Sequence, residues 1–356
     1  MMNISPPRLA IATIATALPM GAENYQEQIA HRAVAALAAR DSQRWIVEGI
    51  KVRSLRSTLP GNRRIPMAAI ANASTRVRRE VGRWLYPQGA VTHRMNLELP
   101  PSPHADVVTI HDVVAWRFAD ESAAVPAAPA EARGADAVVC VSAFTAQEAI
   151  DLLGIRNPHV VHNGVDDRFF DARPLEPQRM GRLGIDGPYI LHTGGAARRK
   201  NLEALAEAWP MVRRERPQLK LVLAGPEHPR RTELFRGMEG AILLGRVADD
   251  LVPGLVAGAA VLVVPSLYEG FGLPVLEAMA ANVPVVAANT SSLPEVAGDA
   301  AILVAPTGPG LVEGLLDATS SASAVDRLVQ LGRARAQRFT WDASARAHAG
   351  IWQGVR

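Results

Sequence analysis

Between residues 189 and 304 short apolar runs recur near 189–194, 219–225, 241–246, 260–264, 284–288 and 301–304, with helical segments between them. Runs this short that are apolar throughout, rather than on alternate residues, read as strands buried on both faces. Strands separated by helical patterns pair in parallel, because each crossover is filled by a helix, and the product is a doubly wound α/β unit. The clearest pair, Ala260–Val264 and Pro284–Ala287, flanks a single helix whose first helical position suits Pro274.

The N-terminal half reads the same way. Leu9–Thr16 is a first strand; LAIATIATALPM over 9–20 resembles a signal-peptide core, but only Arg8 precedes it, and a buried strand is the expectation. A loop over 18–24 leads into a helix over 22–40, with Ile29, Ala33, Val34 and Leu37 at helical spacing. Further strands are expected at 45–50, with a basic edge over 51–56, and at 106–110, 137–141 and 159–161. Periodicity stops between Asp166 and Pro188, where Arg, Asp, Pro and Gly dominate, which suggests a linker. A chain of 356 residues exceeds what one core usually holds. Two Rossmann-like domains, 1–170 and 171–339, follow as the expectation.

Composition narrows the function. With 48% hydrophobic and 21% charged residues this is an ordinary globular enzyme composition. A net charge of +3 suits anionic ligands or an anionic membrane surface, and no interleaved basic and aromatic stretch argues for nucleic acid. The single cysteine, Cys140, lies in the apolar AVVCVS, so no intrachain disulfide can form and a cytoplasmic location is the default. No apolar stretch reaches the length of a membrane span. A helix over 66–86 places Arg76, Arg78, Arg79 and Arg83 beside Val77, Val81, Trp84 and Leu85. It reads as a packed amphipathic helix with its arginines in water, the alternative being a weak peripheral contact with the inner membrane face.

Two loops carry the chemistry. In Tyr-Glu-Gly-Phe-Gly-Leu, Gly270 and Gly272 allow a tight turn, and the amides of Phe271, Gly272 and Leu273 point out of the positive end of the next helix, a place that suits a phosphate. Glu269 opens that loop and otherwise reads as a solvated loop acid. Glu277, one turn into the helix with no adjacent Lys or Arg, matches a ribose diol or is merely a carboxylate favouring the helix dipole. In the second loop, Thr193–Asn201, Asn201 is expected to cap the helix LEALAEAW, so that Arg198, Arg199 and Lys200 crowd its positive end. Cations there cost roughly 0.3–1 kcal/mol each unless an anion is present, and a diphosphate would supply one. A solvated basic loop is the alternative. No G-x-x-x-x-G-K-[ST], no Asp-x-Asp and no His/Cys cluster occurs, so neither a P-loop nor a metal site is expected.

The segment EGFGLPVLEAMAANVPVVAANTSSLPEVAGDAAILVAP resembles, nearly residue for residue, the donor-site signature of the family-4 retaining glycosyltransferases with the GT-B fold. The resemblance is most specific over 189–306. It implies two Rossmann-like domains facing across a cleft, with a last helix, about 340–356, crossing back to the first. It implies further that Glu269 and Glu277 bracket a nucleotide-sugar of UDP or GDP type, that Arg199 and Lys200 meet its diphosphate, and that His111 hydrogen-bonds the transferred sugar. Gly21 matches the first glycine-rich loop, although only one glycine stands where many relatives have two. Val247, in Gly245-Arg-Val, falls in the segment whose backbone reads the base, which leaves uracil, guanine and adenine unseparated.

Transfer from a nucleoside diphosphate requires stabilising two developing negative charges, by a metal or by fixed cations and dipoles. Arg199, Lys200 and the helix amides near Gly272 are the substitutes for a metal here. The expectation is therefore a metal-independent hexosyltransferase that needs no cofactor, retaining by resemblance and acting on a hydroxyl of a glycan, lipid-linked glycan or natural product, antibiotic tailoring included. Glu23 would serve as base were the chemistry inverting. A sugar-nucleotide epimerase and a non-catalytic sugar-nucleotide-binding subunit are the rival readings.

Overall fold

Parallel pairing joins all the strands assigned in the computed structural model, which describes residues 6–17, 21–40, 43–118, 121, 123–320 and 322–356. The chain divides into two compact units. One runs to Gly164 and takes in Trp341–Arg356; the other is Val165–Thr340. The boundary falls between Gly164 and Val165 rather than at 170, and the short helix Pro177–Arg182 lies within the aperiodic stretch.

The first unit is built on strands β1 (Arg8–Ile14), β2 (Ile46–Ser54), β3 (Arg63–Ile65), β4 (Val91–Arg94), β5 (Asp106–Ile110), β6 (Ala137–Cys140) and β7 (His159–Val160), in the order β3-β2-β1-β4-β5-β6-β7. The order reverses between β1 and β4. Strands β3 and β4 lie outside the expected set. β4 is VTHR, whose His93 and Arg94 are buried by polar pairing rather than by apolar character: Arg94 donates to both carboxylate oxygens of Asp106 at 2.9 and 2.7 Å. Cys140 is buried in β6, and burial pushes its thiol up to about 12, which makes it a small hydrophobe. The helix Trp341–Gly354 returns to this unit and packs on the helix Gly21–Ala38, with Trp341, Ala345, His348, Ala349 and Trp352 on its buried face. Gly21 is thus the first residue of a helix, not part of a loop, and residues 18–20 of the expected loop lie outside the described residues.

The expected helix over 66–86 is two helices, Met67–Ala71 and Thr75–Leu85, and Ser74 caps the second by accepting from the amide of Val77. Arg78 departs furthest from expectation. It is fully buried, donating to Glu131 at 2.8 Å and to the carbonyls of Ile70, Glu98 and Leu99 at 3.1, 3.2 and 3.1 Å. The outer face keeps Arg76, Arg79 and Arg83 with Val77 and a 71%-exposed Trp84. Among the described residues no helix is long and apolar enough to cross a membrane.

The second unit carries β8 (Tyr189–Thr193), β9 (Lys220–Ala224), β10 (Ala241–Gly245), β11 (Val261–Val264), β12 (Val285–Ala288) and β13 (Ile302–Val304), in the order β10-β9-β8-β11-β12-β13. Leu202, Leu205, Ala206 and Trp209, the apolar stripe of the helix Leu202–Glu215, are buried against Leu221, Leu223, Val261 and Val263 of this sheet. The order reverses between β8 and β11. In open parallel sheets ligands gather outside the carboxyl ends of strands at such a reversal. The loops that leave β8 and β11 are the two singled out by their chemistry.

Candidate functional site

After β8 the chain turns through Gly194, at φ 146°, and a 3-10 turn over Arg198–Lys200. Asn201 follows in the left-handed region, φ 53° and ψ 42°. It holds the N-cap position of the next helix, as expected, but its side chain makes no cap hydrogen bond; the side-chain amide instead donates to the carbonyls of Pro265 and Pro306 at 2.9 and 3.0 Å. Asn201 therefore ties the loop after β8 to those after β11 and β13. The amide of Leu267 completes the tie by donating to the Arg199 carbonyl at 2.7 Å.

This lacing brings the basic cluster onto Glu269. Lys200 Nζ lies 2.6 Å from Glu269 Oε1, and Arg199 donates to Glu269 Oε2 at 3.4 Å and to the Tyr268 carbonyl at 3.3 Å. Ser266 Oγ donates to Glu269 Oε1 at 2.7 Å, and the Glu269 amide donates to Ser291 Oγ at 3.0 Å. Ser292 Oγ spans the carbonyls of Glu269 and Phe271 at 2.9 and 2.7 Å. Glu269 is only 8% exposed. Burial raises its pKa, but Lys200, Arg199 and the hydrogen bonds from Lys200 and Ser266 outweigh that and hold the carboxyl below its usual range. The solvated-acid reading fails for this reason. Lys200 and Arg199 are likewise not uncompensated cations, since the protein supplies a carboxylate to both.

Gly270, Phe271, Gly272 and Leu273 continue the loop into the helix Leu273–Ala280, where Pro274 is the second residue, not the first. Gly272 sits at φ 104°, and a Cβ there would come within 2.9 Å of Leu293, so the position requires glycine. One turn on, Glu277 is half-buried. Its pKa is raised to about 7, first by desolvation and then by Asp166, with Arg168 opposing. The sequence neighbours of Glu277 carry no cation, yet the fold brings Arg168 into electrostatic reach. Val247 lies in the loop after β10, on the same carboxyl edge.

Sequence reasoning passed over the supports of this edge. Ser266, Ser291 and Ser292 hold Glu269, and their signal was hydroxyl residues directly after apolar runs. His192 is buried; its Nδ1 donates to the Val263 carbonyl at 3.2 Å, and burial lowers its pKa to about 4. Arg231, 2% exposed, donates to the Gly194 carbonyl and, at 3.0 Å, to that of Pro226. Gly225 packs so tightly that a Cβ would lie 1.9 Å from the Gly194 carbonyl oxygen.

In the first unit His111 follows β5. Its Nε2 is 3.0 Å from the Met95 carbonyl, so Nε2 bears the proton and Nδ1 presents a lone pair. Asp112 accepts from the Val114 amide at 3.2 Å. Burial lowers the His111 pKa, opposed by Asp112, the Met95 bond and Glu23. The ring borders a cavity of about 150 Å³ lined also by Asn96, Glu98, Asp112 and Trp116. Among the described residues no group of three His, Cys, Asp or Glu could hold a metal ion.

Residues 187–330 match a family model described as glycosyl transferases group 1, and residues 52–169 match one described as glycosyltransferase family 4. Each half of the chain is thus similar to a glycosyltransferase domain. The chain is 35% identical over 171 residues to O-antigen chain mannosyltransferase B of Escherichia coli, covering 43% of this chain and 42% of that protein. It is 32% identical over 206 residues to the MMP alpha-(1->4)-mannosyltransferase of Mycolicibacterium hassiacum, covering 55% and 48%. The matches thus span less than half the length of these relatives. Among solved structures, sucrose-phosphate synthase from Thermosynechococcus elongatus superposes with a TM-score of 0.73 at 19% identity, covering 98% of each chain. HepE of Anabaena, solved with UDP-glucose, superposes with a TM-score of 0.71 at 18% identity, covering 98% of this chain and 99% of that one. With two Rossmann-like parallel-sheet units, the fold is GT-B.

Proposed function

We propose that this chain is a metal-independent, retaining glycosyltransferase that moves a sugar from a nucleoside-diphosphate sugar to a hydroxyl of a glycan, lipid-linked glycan or natural product. The observation that carries the reading is the Lys200–Glu269–Arg199 cluster at the switch point of the second sheet, next to a helix start that only glycine can open. Two cations and the amides of Phe271, Gly272 and Leu273 would receive the charge that develops on the departing diphosphate, the place a metal ion takes elsewhere. Glu269, fixed as a carboxylate, would orient sugar hydroxyls beside the reacting carbon. Glu277 would hold the ribose diol, the Gly245–Val247 backbone the base, and the segment beginning at Gly21 would lie beneath the diphosphate. His111 would accept a hydrogen bond from the transferred sugar at Nδ1. Mannosyltransferases among the relatives and UDP-glucose in a neighbour make GDP-mannose and UDP-glucose the first donors to try.

Incubating the purified chain with each donor and a panel of glycan acceptors, with and without EDTA, tests the reading. Transfer that survives EDTA and keeps the anomeric configuration by NMR is the expected result. Strict dependence on added Mg²⁺ or Mn²⁺ would overturn the fixed-cation account, and rapid conversion of a donor to its epimer without acceptor would make the chain an epimerase.

Glu277 gives a pH signature. With its pKa near 7, the fraction ionised climbs steeply between pH 6 and 8. A carboxylate accepting two ribose hydroxyls binds best when ionised, so the donor KM should fall several-fold over that interval, and Glu277→Gln should flatten the profile while raising KM about tenfold, the value of a charged hydrogen bond. The folded pKa lies above the unfolded one, so this group favours folding below the unfolded value near 4.5 and loses that contribution as pH rises through 7. Glu277→Gln should therefore raise the melting midpoint at pH 8 more than at pH 5. A wild-type KM independent of pH would remove Glu277 from the donor site.

The exposed Trp84 among Arg76, Arg79 and Arg83 also supports a weak peripheral contact with anionic lipid. Co-sedimentation with phosphatidylglycerol vesicles, lost in Trp84→Ser, is expected, and equal recovery of both proteins in the supernatant would refute it.

A further inference from the structure

A chain of five hydrogen bonds, wholly buried, runs behind His111 in the first unit. Its members are Trp352, His93, Thr109, Tyr25 and His348, each at 0% exposure. Trp352 Nε1 is 3.1 Å from His93 Nδ1, and His93 Nε2 is 2.8 Å from Thr109 Oγ1. Thr109 Oγ1 is 2.9 Å from Tyr25 Oη, Tyr25 Oη is 2.7 Å from His348 Nε2, and His348 Nδ1 is 2.8 Å from the Ser344 carbonyl.

The two ends fix every proton between them. An indole N–H can only donate, so His93 accepts at Nδ1 and, being neutral, donates from Nε2 to Thr109. A carbonyl can only accept, so His348 carries its proton on Nδ1 and accepts at Nε2 from the Tyr25 hydroxyl. Thr109 therefore donates to Tyr25. Each hydroxyl gives one bond and takes one, and the chain cannot reverse without setting two donors or two lone pairs against each other. Protonating His93 sets a new N–H against the Trp352 indole, and protonating His348 takes away the acceptor of the Tyr25 proton and turns that hydroxyl round. Burial keeps both neutral: desolvation first, then His348, His111 and Arg94, hold His93 well below its usual value, while desolvation lowers His348 to about 4 against the Ser344 bond.

Both ends belong to one element, the helix Trp341–Gly354, whereas the middle comes from β4, β5 and the helix Gly21–Ala38. The product of this chain is a fixed Tyr25 ring. That ring meets the imidazole of His111 edge-on, with centroids 4.7 Å apart and planes at 87°. The Met95 carbonyl sets the tautomer of His111, and the Tyr25 ring sets its plane. Thr109 is two residues before His111 on the same strand end.

We propose that Tyr25 is a positioning residue for His111, and that the C-terminal helix returns to the first unit to supply both fixed ends of the hydrogen-bond chain that holds it. This rests on the reading of His111 as the partner of the transferred sugar. A buried polar chain with every member satisfied specifies one arrangement where apolar packing would tolerate several. Loss of a single hydroxyl should then reach His111 without unfolding the unit.

The test is a double-mutant cycle on the full-length chain, read as nucleoside diphosphate released from UDP-glucose and GDP-mannose, together with ¹⁵N-resolved spectra of the histidine rings. Tyr25→Phe keeps the ring and removes only the hydroxyl. Thr109→Val breaks the same chain without touching the His111 ring and serves as the second entry into the cycle. In the wild type His111 should show a single Nε2–H tautomer. Either variant should free the ring to turn off the Met95 carbonyl, which mixes its tautomers, and should lower kcat about tenfold, with the donor KM held within about twofold, and neither should lower kcat further in a His111→Ala background. A drop of equal size in both backgrounds would make the chain a purely structural staple and overturn the inference alone. Unchanged His111 signals with unchanged kcat would overturn it too. Full activity in His111→Ala itself would instead remove the sugar-binding role of His111, and the inference with it.

Discussion

Lys200→Ala should lower turnover about 10²–10³-fold, the usual cost of losing one preorganised donor to a developing oxyanion. Lys200 is held to this position by its partner: Nζ lies 2.6 Å from Glu269 Oε1, and Ser266 donates to that same oxygen at 2.7 Å. Two roles are open to such an amine. It can meet the departing diphosphate, or it can merely keep Glu269 ionised, and the two predict different mutants. If Lys200 only balances Glu269, the double variant with Glu269→Gln should be no slower than Glu269→Gln alone, because the charge to be balanced is already gone. If Lys200 receives phosphate charge, the double variant stays at least as slow as Lys200→Ala and is slower than Glu269→Gln. Arg199, at 3.4 Å from the other oxygen, is the less intimate partner, and Arg199→Ala should cost less than Lys200→Ala. Steady-state release of the nucleoside diphosphate gives all four rates. Wild-type turnover in Lys200→Ala would end the fixed-cation mechanism.

The parts of this molecule that could be read from the chain are those in which apolar pattern and burial coincide. β8, β9, β11 and β12 announce themselves because nearly every residue in them faces a hydrophobic layer. β4 does not. Its buried His93 and Arg94 are satisfied by Thr109, Trp352 and Asp106, residues 12 to 259 positions away, and no local window contains that information. The second unit's loops were legible as chemistry but not as geometry. Spacing placed three cations at a helix start; it could not show that Asn201 turns left-handed, or that the loop folds onto a carboxylate 69 residues on. Glu277 repeats the point, since Asp166 and Arg168, which act on its pKa, come from the segment read only as linker.

Arg78 carries the largest stability effect. In sequence it is one of four arginines on a basic helix, and the simplest reading puts all four in water. The fold instead buries it completely and asks it to staple three segments: Glu131 in the helix Ala128–Arg133, the Ile70 carbonyl ahead of the break at Asn72, and the Glu98 and Leu99 carbonyls after β4. Removing one partner of a buried pair strands the other charge, so Arg78→Leu and Glu131→Leu should each lower the unfolding free energy of the first unit by about 3–5 kcal/mol. Replacing both with apolar residues removes the stranded charge, and the double variant should recover much of that loss. The Ile70 and Leu99 carbonyls keep the Ala73 amide and Arg94 as donors, but each loses a bond, and the Glu98 carbonyl loses the one it takes from Arg78, which keeps recovery incomplete. Arg83 on the same helix is the control: it pairs with Glu80 at 3.3 Å, both side chains more than half exposed, and Arg83→Ala should change stability by no more than about 1 kcal/mol. Urea unfolding followed by tryptophan fluorescence separates the cases, because Trp84, Trp341 and Trp352 all belong to this unit. Equal, small shifts for Arg78→Leu and Arg83→Ala would mean that Arg78 lies in water after all, and that the helix Thr75–Leu85 presents a wholly basic face.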